Sequence, residues 1–328
     1  MWLSPSKFLF GIRIFLSVFI ISSSPSFLMR WVGLELNTLA FIPILVTVKT
    51  KLRREAGVKY FLTQTLASVL FVLGSILVSF NLIVLTSLLF LVGLSIKLGA
   101  APFHRWLMTV GESCSWVVFL ILLTIQKINP LLILWNSVLT DILLFSFLVA
   151  GSVLVGGFIG LAQTSSRLIL IFSSVNHVGW MLSGLMSSLW LTIIYFLIYF
   201  LILTPATIIF KKLSIRHINQ LVGGNLNLEI QLIVFILLFS LGGLPPFLGF
   251  MPKWVVLQSL IGSGGVILSL IFITISLFTL FYYLRLIVRS FLLLSLKRNF
   301  SYLNINLNFL LILMFSFSIL GLPSIFMF

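Results

Sequence analysis

Apolar runs of about 20 residues follow one another along almost the whole chain, and this pattern limits what the chain can fold into. A run of that length crosses a bilayer as a helix, because a helix satisfies its backbone hydrogen bonds internally. With 61% hydrophobic and 8% charged residues, the composition is unlike that of a soluble domain. The sequence therefore predicts an all-α polytopic membrane protein, a single transmembrane domain over residues 1–328.

We expect about eleven transmembrane helices, separated by short loops. They are placed near residues 7–23, 26–48, 56–79, 82–99, 115–136, 141–161, 167–187, 189–210, 229–261, 264–290 and 305–326. The ninth is too long for one straight helix, and the run Gly242-Gly243-Leu244-Pro245-Pro246 interrupts it. The first is interpreted as a span and not as a cleaved presequence.

The basic loop residues support this number of spans. With eleven spans, one side of the membrane holds Lys7, Lys49, Lys51, Arg53, Arg54, Arg105, Arg167, Lys211, Lys212, Arg216, Arg289, Lys297 and Arg298. The other side holds Arg30, Asp141 and little else. This asymmetry follows the positive-inside rule and places the N-terminus on the cytoplasmic or matrix side. The same rule explains the net charge of +15, so we expect no nucleic-acid partner.

Cofactor chemistry is not expected within this chain. A single cysteine, Cys114, allows neither an internal disulfide nor a thiolate-held iron–sulfur cluster. No group of histidine, cysteine and carboxylate residues has metal-ligand spacing, and no Gly-x-Gly-x-x-Gly motif follows a strand.

Four charged residues interrupt the apolar runs: Glu35, Lys97, Lys127 and Lys253. A charge at bilayer depth costs about 2.5–3.5 kcal/mol on insertion scales, so such residues usually handle ions or protons. Each also has a simpler explanation. Glu35 and Lys97 would also suit a static ion pair, Lys127 would also suit snorkelling to the interface, and Lys253 would suit an ordinary helix end.

Two segments share the pattern Gly-x-x-Pro-Phe, namely Gly99 to Phe103 and Gly243 to Phe247. Proline removes a backbone donor, and paired interrupted helices in two halves of a chain indicate the ion path of a transporter with repeated halves. Simple kinks are the alternative. We expect a third break at Asn129-Pro130, after Lys127.

His177 lies in the middle of a predicted span, near several polar side chains. Because an imidazole both donates and accepts a proton, His177 is a candidate relay between Lys127 and Lys253. The alternative is a core histidine satisfied by a neighbouring helix. His104 and His217 are interpreted as loop or interface residues.

Six segments together resemble a known family. They are Trp31 to Leu45, Lys59 to Gln64, Lys97 to His104, Gln126 to Ile128, Phe172 to Trp180, and Leu241 to Trp254. In this order they resemble the chain 2 subunits of mitochondrial NADH:ubiquinone oxidoreductase, respiratory complex I. The resemblance extends from about residue 28 to Arg285, and the ends match only in hydrophobicity and position.

That family is itself similar to cation/proton antiporters. The resemblance implies antiporter-like inverted repeats with broken helices: a first repeat at approximately 7–136, a second at approximately 141–290, and a C-terminal helix at approximately 305–326. It also implies that Glu35, Lys97, Lys127 and Lys253 transfer protons.

The function implied by the resemblance is that of a membrane-arm subunit that translocates protons, coupled to electron transfer from NADH to ubiquinone elsewhere in the complex. Such a chain is a non-redox subunit of a translocase. It resides in the mitochondrial inner membrane, with its N-terminus on the matrix side and its C-terminus on the intermembrane-space side.

NAD, FMN, iron–sulfur clusters and ubiquinone are then expected in the assembly, and the implied partners are other membrane-arm subunits and lipids, with cardiolipin as one candidate. Two alternatives are a stand-alone secondary cation/proton antiporter and a structural spacer with silent charges.

Overall fold

The structure is a computed structural model that describes residues 5–46, 50–136, 142–213, 215, 217 and 228–294. Within these ranges the chain is almost entirely helical and contains no strand, only an isolated bridge between Ser165 and His217. The all-α prediction is confirmed. The predicted span at 305–326 and Asp141 lie outside the described residues.

The described residues form thirteen helices, numbered here in chain order. They are α1 (Pro5–Ser23), α2 (Phe27–Leu45), α3 (Lys51–Val78), α4 (Ile83–Leu98), α5 (Arg105–Ser113), α6 (Trp116–Leu123), α7 (Ile125–Asn136), α8 (Ile142–Ala162), α9 (Ser166–Ser187), α10 (Leu189–Lys212), α11 (Leu228–Gly242), α12 (Phe250–Gly262) and α13 (Val266–Leu294). Most ends lie within a few residues of the predicted spans. The short helix α5 has no predicted counterpart.

Seven of the described helices are long and apolar enough to cross a membrane, counting α6 and α7 as one, and α1, α4 and α11 contain shorter apolar stretches. Large apolar side chains point outward, as Phe19, Leu143 and Ile267 do with about three quarters or more of their surface exposed. Such an exterior suits lipid and not water. The total of eleven spans stays a prediction, since the last one lies outside the described residues.

The chain divides into two compact units, residues 1–152 and 153–328. In unit 1, α3 packs against α2, α4 and α5, while α7 contacts α1, α2 and α4. Helix α7 therefore occupies the interior of this unit. The division falls inside α8, whereas the predicted repeats meet near residues 137–141, and the assignment of the repeats stays a prediction.

In unit 2, α9 packs against α10 and α12, and α13 packs against α11 and α12. Helix α9 is buried along nearly its whole length, whereas α13 has one outward face. A helix that is apolar and buried on all sides is a core helix. The polar side chains of α9 therefore face protein.

Two helix breaks occur where the sequence predicts them, between α4 and α5 and between α11 and α12. Gly99 and Gly243 end the preceding helices with φ of 69° and 79°, a left-handed conformation that glycine adopts without strain. After each glycine a turn follows that is closed by a backbone hydrogen bond, from Phe103 N–H to Ala100 O (2.8 Å) and from Phe247 N–H to Leu244 O (3.0 Å). The first turn contains a cis Ala101-Pro102 bond, whereas the second contains no cis bond. The two segments thus share the left-handed glycine and the closing hydrogen bond, and they differ in the proline peptide bond.

The prediction of a third break at Asn129-Pro130 is wrong. Both residues lie inside α7, and the irregular residue is Thr124, which separates α6 from α7 with φ of −119° and ψ of −79°. Pro130 has no preceding glycine to end the helix, and a proline inside a helix kinks it without ending it. Pro43 in α2 and Pro205 in α10 are likewise inside helices.

Candidate functional site

All three candidate lysines are buried. The exposed fractions are 5% for Lys97, 2% for Lys127 and 4% for Lys253, and His177 is 6% exposed. Glu35 is half-buried on α2. Snorkelling of Lys127 to the surface and an ordinary exposed helix end at Lys253 are therefore excluded. Glu35, Lys97 and Lys127 belong to unit 1, and His177 and Lys253 belong to unit 2.

Lys97 lies in the last turn of α4, two residues before the glycine that ends this helix. Its charge interacts with that of Glu35, yet its ammonium group makes no hydrogen bond among the described residues. The Glu35 carboxylate instead accepts a hydrogen bond of 3.2 Å from the Thr38 hydroxyl on its own helix. The pair is therefore near but not closed into the static ion pair that the sequence left as an alternative.

A buried network of amide and phenol groups adjoins this pair. Asn37 and Gln126 exchange two side-chain hydrogen bonds of 2.9 and 3.2 Å, and the Tyr60 hydroxyl donates to the same Gln126 oxygen at 3.2 Å. A cavity of about 10 Å³ lies between this network and Lys97. That is close to the roughly 10–15 Å³ that one water molecule needs.

Lys127 follows Gln126 directly on α7, so the network that adjoins Lys97 also adjoins Lys127 along the chain. The helix resumes after Thr124, whose hydroxyl bonds to Leu120 O at 2.7 Å and whose carbonyl accepts the N–H of Lys127 at 2.9 Å. Asn129, one residue beyond Ile128, donates to Ser17 of α1 at 2.9 Å. Polar side chains therefore precede and follow the central lysine on an otherwise apolar helix.

Lys253 lies in the first turn of α12, directly after the second break. Its ammonium group donates to Gly242 O, the last carbonyl of α11, at 2.8 Å and lies 5.7 Å from the centre of the Trp180 ring. A Cβ on Gly243 would come within 2.9 Å of the lysine Cδ. The lysine therefore fills the gap in the broken helix and satisfies a carbonyl that the break leaves free.

His177 faces two tyrosines of α10. Its Nδ1 lies 2.9 Å from the Tyr195 hydroxyl, and its ring centre lies 4.8 Å from that of Tyr199. A second cavity of about 10 Å³ touches His177, Tyr195 and Ser240. This geometry suits both interpretations of His177, since a hydrogen-bonded core histidine and a proton relay need the same partner.

The sequence analysis assigned no individual role to several residues of these clusters: Asn37, Tyr60, Trp180, Tyr195 and Tyr199. Single amides and aromatic residues are common on buried helix faces, so none of them carries a signal in the sequence. Of the two remaining histidines, His104 is buried at the start of α5 and His217 is exposed. His104 lies in the turn that precedes α5, which agrees with its interpretation as a loop residue, and this turn folds it inward.

The chemistry available here is proton transfer. Within the described residues no group of three metal-ligating side chains is present. Each unit instead places a buried amine beside a helix break, with hydroxyl, amide or imidazole groups around it. A buried amine exists in charged or neutral form according to the charges and dipoles near it, so it suits a site that takes up and releases a proton.

Comparison with known proteins identifies a family. The NADH:quinone oxidoreductase/Mrp antiporter transmembrane family matches residues 24–279. A protein of Anopheles gambiae described as NADH-ubiquinone oxidoreductase chain 2 is 40% identical over 299 residues, which cover 88% of this chain and 86% of the relative. The protein of the same description from Aedes aegypti is 40% identical over 332 residues, 97% of this chain and 96% of the relative.

The fold agrees with these relatives. A chain of respiratory complex I from Thermus thermophilus, solved with bound aureothin, superposes with a TM-score of 0.85 at 24% identity, covering 98% of this chain and 78% of that chain. The protein is thus a multi-pass membrane protein of antiporter-like fold. It belongs to the NADH:quinone oxidoreductase/Mrp antiporter family and, within that family, to the NADH-ubiquinone oxidoreductase chain 2 proteins.

Proposed function

We propose that this chain is a membrane-arm subunit of respiratory NADH:ubiquinone oxidoreductase and translocates protons across the mitochondrial inner membrane. Support comes from the relatives that carry the chain 2 description over most of their length. The redox reaction belongs to other subunits, which would hold NAD, FMN, iron–sulfur clusters and ubiquinone. Other membrane-arm subunits, and lipids such as cardiolipin, are the partners.

The observation that carries the proposal is the state of Lys97. A buried ammonium group without a hydrogen bond is unfavourable unless nearby charge or water stabilises it. Glu35 supplies charge of the opposite sign, and the adjoining cavity has room for about one water. An arrangement in which the charged form is only partly stabilised responds to small movements, whereas a closed ion pair does not.

The mechanism follows from two opposing effects on this lysine. Burial disfavours its charged form, and the Glu35 carboxylate favours it. When Glu35 and Lys97 approach, the lysine holds a proton, and when they separate, it releases that proton into the network of Asn37, Tyr60 and Gln126. Moving one proton against 100 mV takes about 2.3 kcal/mol, so the movement must change the balance by at least that amount.

Lys127 is the central carrier in this scheme. Gln126 belongs to the network, and Lys127 follows it on α7, where it receives the released proton. In unit 2, Lys253 is the carrier on the release side. Its bond to Gly242 O holds the ammonium form, and a shift between α11 and α12 would break that bond. His177 is the relay that precedes it.

The basic loops support an N-terminus on the matrix side, and with this orientation uptake is from the matrix and release is to the intermembrane space. A stand-alone cation/proton antiporter is the alternative, because the family that matches includes Mrp antiporters. Purification under mild conditions separates the two, since the proposed subunit copurifies with large redox partners and a stand-alone antiporter runs alone.

The test is proton pumping measured against NADH oxidation in reconstituted vesicles, with Lys97→Ala and Glu35→Gln compared at matched levels of assembly. Lys51→Ala is the matched control, because Lys51 is exposed at the start of α3. We expect both site variants to lose pumping and the control to keep it. Full pumping by both Lys97→Ala and Glu35→Gln would refute the switch.

A further inference from the structure

Four of the six tyrosines in the sequence lie together in unit 2. Tyr195 and Tyr199 belong to α10, Tyr282 and Tyr283 belong to α13, and all four are buried. Packing alone does not explain this choice, because the chain has 33 phenylalanines that fill apolar space without a hydroxyl. Burying a hydroxyl without a full hydrogen bond costs roughly 1–3 kcal/mol, so a cluster of four phenols needs a reason.

The phenols form a continuous series that begins at His177. Tyr199 lies beside the imidazole, with the two ring planes inclined by 45°, and its hydroxyl lies near Ser174, one turn earlier on α9. Ser173, beside Ser174, interacts with the hydroxyl of Tyr283. The side chains therefore follow one another from the middle of α9 towards its first turn.

Tyr282 continues this series. Its ring centre lies 4.5 Å from that of Tyr283, and its ring packs on Gly160 near the end of α8, where a Cβ would lie 3.1 Å from the ring. Three residues further along α13, Arg285 donates to Leu161 O at 2.6 Å and to Gln163 O at 2.9 Å. The series thus ends at the α8–α9 connection.

That connection reaches the surface. Ala162 and Thr164 are exposed there, and the two bonds from Arg285 fix its backbone. Arg285 itself is no carrier, because a guanidinium does not lose its proton in proteins. By the loop charges, this end of the unit lies on the matrix side.

The hydroxyls of Tyr282 and Tyr283 favour a role in proton transfer over a purely structural role. Both are buried and lie near each other, but neither forms a hydrogen bond of full geometry among the described residues. Buried hydroxyls that serve only structure are normally satisfied. Hydroxyls that must rotate, or take a passing water as partner, are not fixed in this way.

Resting on the proposed function, we infer that Tyr282, Tyr283 and Tyr199, with Ser173 and Ser174, form a proton-uptake branch from the α8–α9 connection to His177. Each hydroxyl passes its own proton onward as it receives another, so every phenol and serine is neutral before and after. One proton enters at the surface, one is added to His177, and no electron moves. His177 then passes its proton on and is restored.

The branch differs from the lysine sites in that it supplies His177 from within unit 2. The charged and titratable groups that face it are His177 from α9, Tyr195 and Tyr199 from α10, and Arg285 with the two tyrosines from α13. None of them is a carboxylate, so no acid group competes for the proton along the described part of the branch.

The experiment compares Tyr283→Phe and Tyr199→Phe in the assembled oxidoreductase, with the ratio of protons pumped to NADH oxidised as the readout. Phenylalanine keeps the ring and removes only the hydroxyl. Ser183→Ala is the control, because Ser183 is a buried serine of α9 that bonds to Trp180 O and lies outside the branch. At matched assembly, a structural defect changes the amount of enzyme and leaves the ratio unchanged.

We expect both phenylalanine variants to pump fewer protons per NADH oxidised, and we expect Ser183→Ala to keep the native ratio. A native ratio in both phenylalanine variants would overturn the branch. Lys97→Ala measured in the same vesicles separates the two proposals. If Lys97→Ala loses pumping while the tyrosine variants keep it, only the branch fails, and if Lys97→Ala also keeps it, the proposed function fails with it.

Discussion

At the scale of single residues, the side chain of Lys253 packs closely against Gly243. The lysine stem lies against the glycine Cα, and the ammonium group bonds to the carbonyl of the residue before it. A lysine can remain at membrane depth here because the break exposes a carbonyl that an intact helix would use itself. Lys97 has no such partner at its own break, where the Trp106 ring nitrogen bonds to Ile96 O instead.

Gly243→Ala tests this sharing of space. The new Cβ would meet the lysine Cδ at 2.9 Å, and φ of 79° is strained for alanine, which costs about 1–3 kcal/mol. We expect a lower thermal unfolding temperature of the assembled complex. Gly262→Ala is the control, because nothing lies within 4 Å of a Cβ there. Equal unfolding temperatures of the two variants would contradict the account.

Gln126→Ala tests the amide network. The substitution leaves the Asn37 amide and the Tyr60 hydroxyl without their hydrogen-bond partner. Each buried polar group without a partner lowers the free energy of unfolding by about 1–3 kcal/mol. Thermal unfolding should reveal a clear loss of stability, whereas Gln258→Ala on an exposed face of α12 should have almost no effect. An unchanged unfolding temperature in Gln126→Ala would show that the network adds nothing to stability.

At the scale of helices, the sequence correctly predicts a break where a glycine precedes the proline. Where no glycine precedes the proline, the predicted break is wrong. The motifs predict the breaks after α4 and α11, and the structure adds that Gly99 and Gly243 adopt the left-handed conformation there. Pro130 alone does not end α7. The interruption at Thr124 has no signature in the sequence, because a threonine in an apolar run is compatible with an ordinary helix.

Trp106→Phe tests how the first break is held. The change removes the 2.9 Å bond to Ile96 O while keeping an aromatic ring, and the loss of one such bond costs about 1 kcal/mol. We expect reduced thermal stability relative to Trp190→Phe, a substitution at a tryptophan that is 74% exposed. If the two variants unfold at the same temperature, the ring nitrogen does not stabilise the break.

For the molecule as a whole, composition and loop charge predict the class of protein and its membrane orientation, and the motifs predict the lysine positions. The partners of those lysines are not predictable in the same way. Tyr60 meets Lys97, and Trp180 meets Lys253, only through helix packing, and their spacing along the chain does not indicate these contacts. The predicted C-terminal helix lies outside the described residues.

Orientation is testable by labelling. A membrane-impermeant amine reagent should modify Lys51 and Lys211, which are exposed, only when it is applied to the matrix side. Lys97, Lys127 and Lys253 should stay unmodified from both sides, because all three are buried. Modification of Lys51 from the intermembrane-space side would reverse the predicted orientation.

The most direct test of proton translocation through buried lysines is the ratio of protons pumped to NADH oxidised after Lys127→Ala, in vesicles with matched assembly. Lys59→Ala is the control, since Lys59 is exposed on α3. The account predicts that Lys127→Ala loses pumping or coupled turnover and that Lys59→Ala keeps both. A native ratio and native turnover in Lys127→Ala would contradict it and favour a structural spacer.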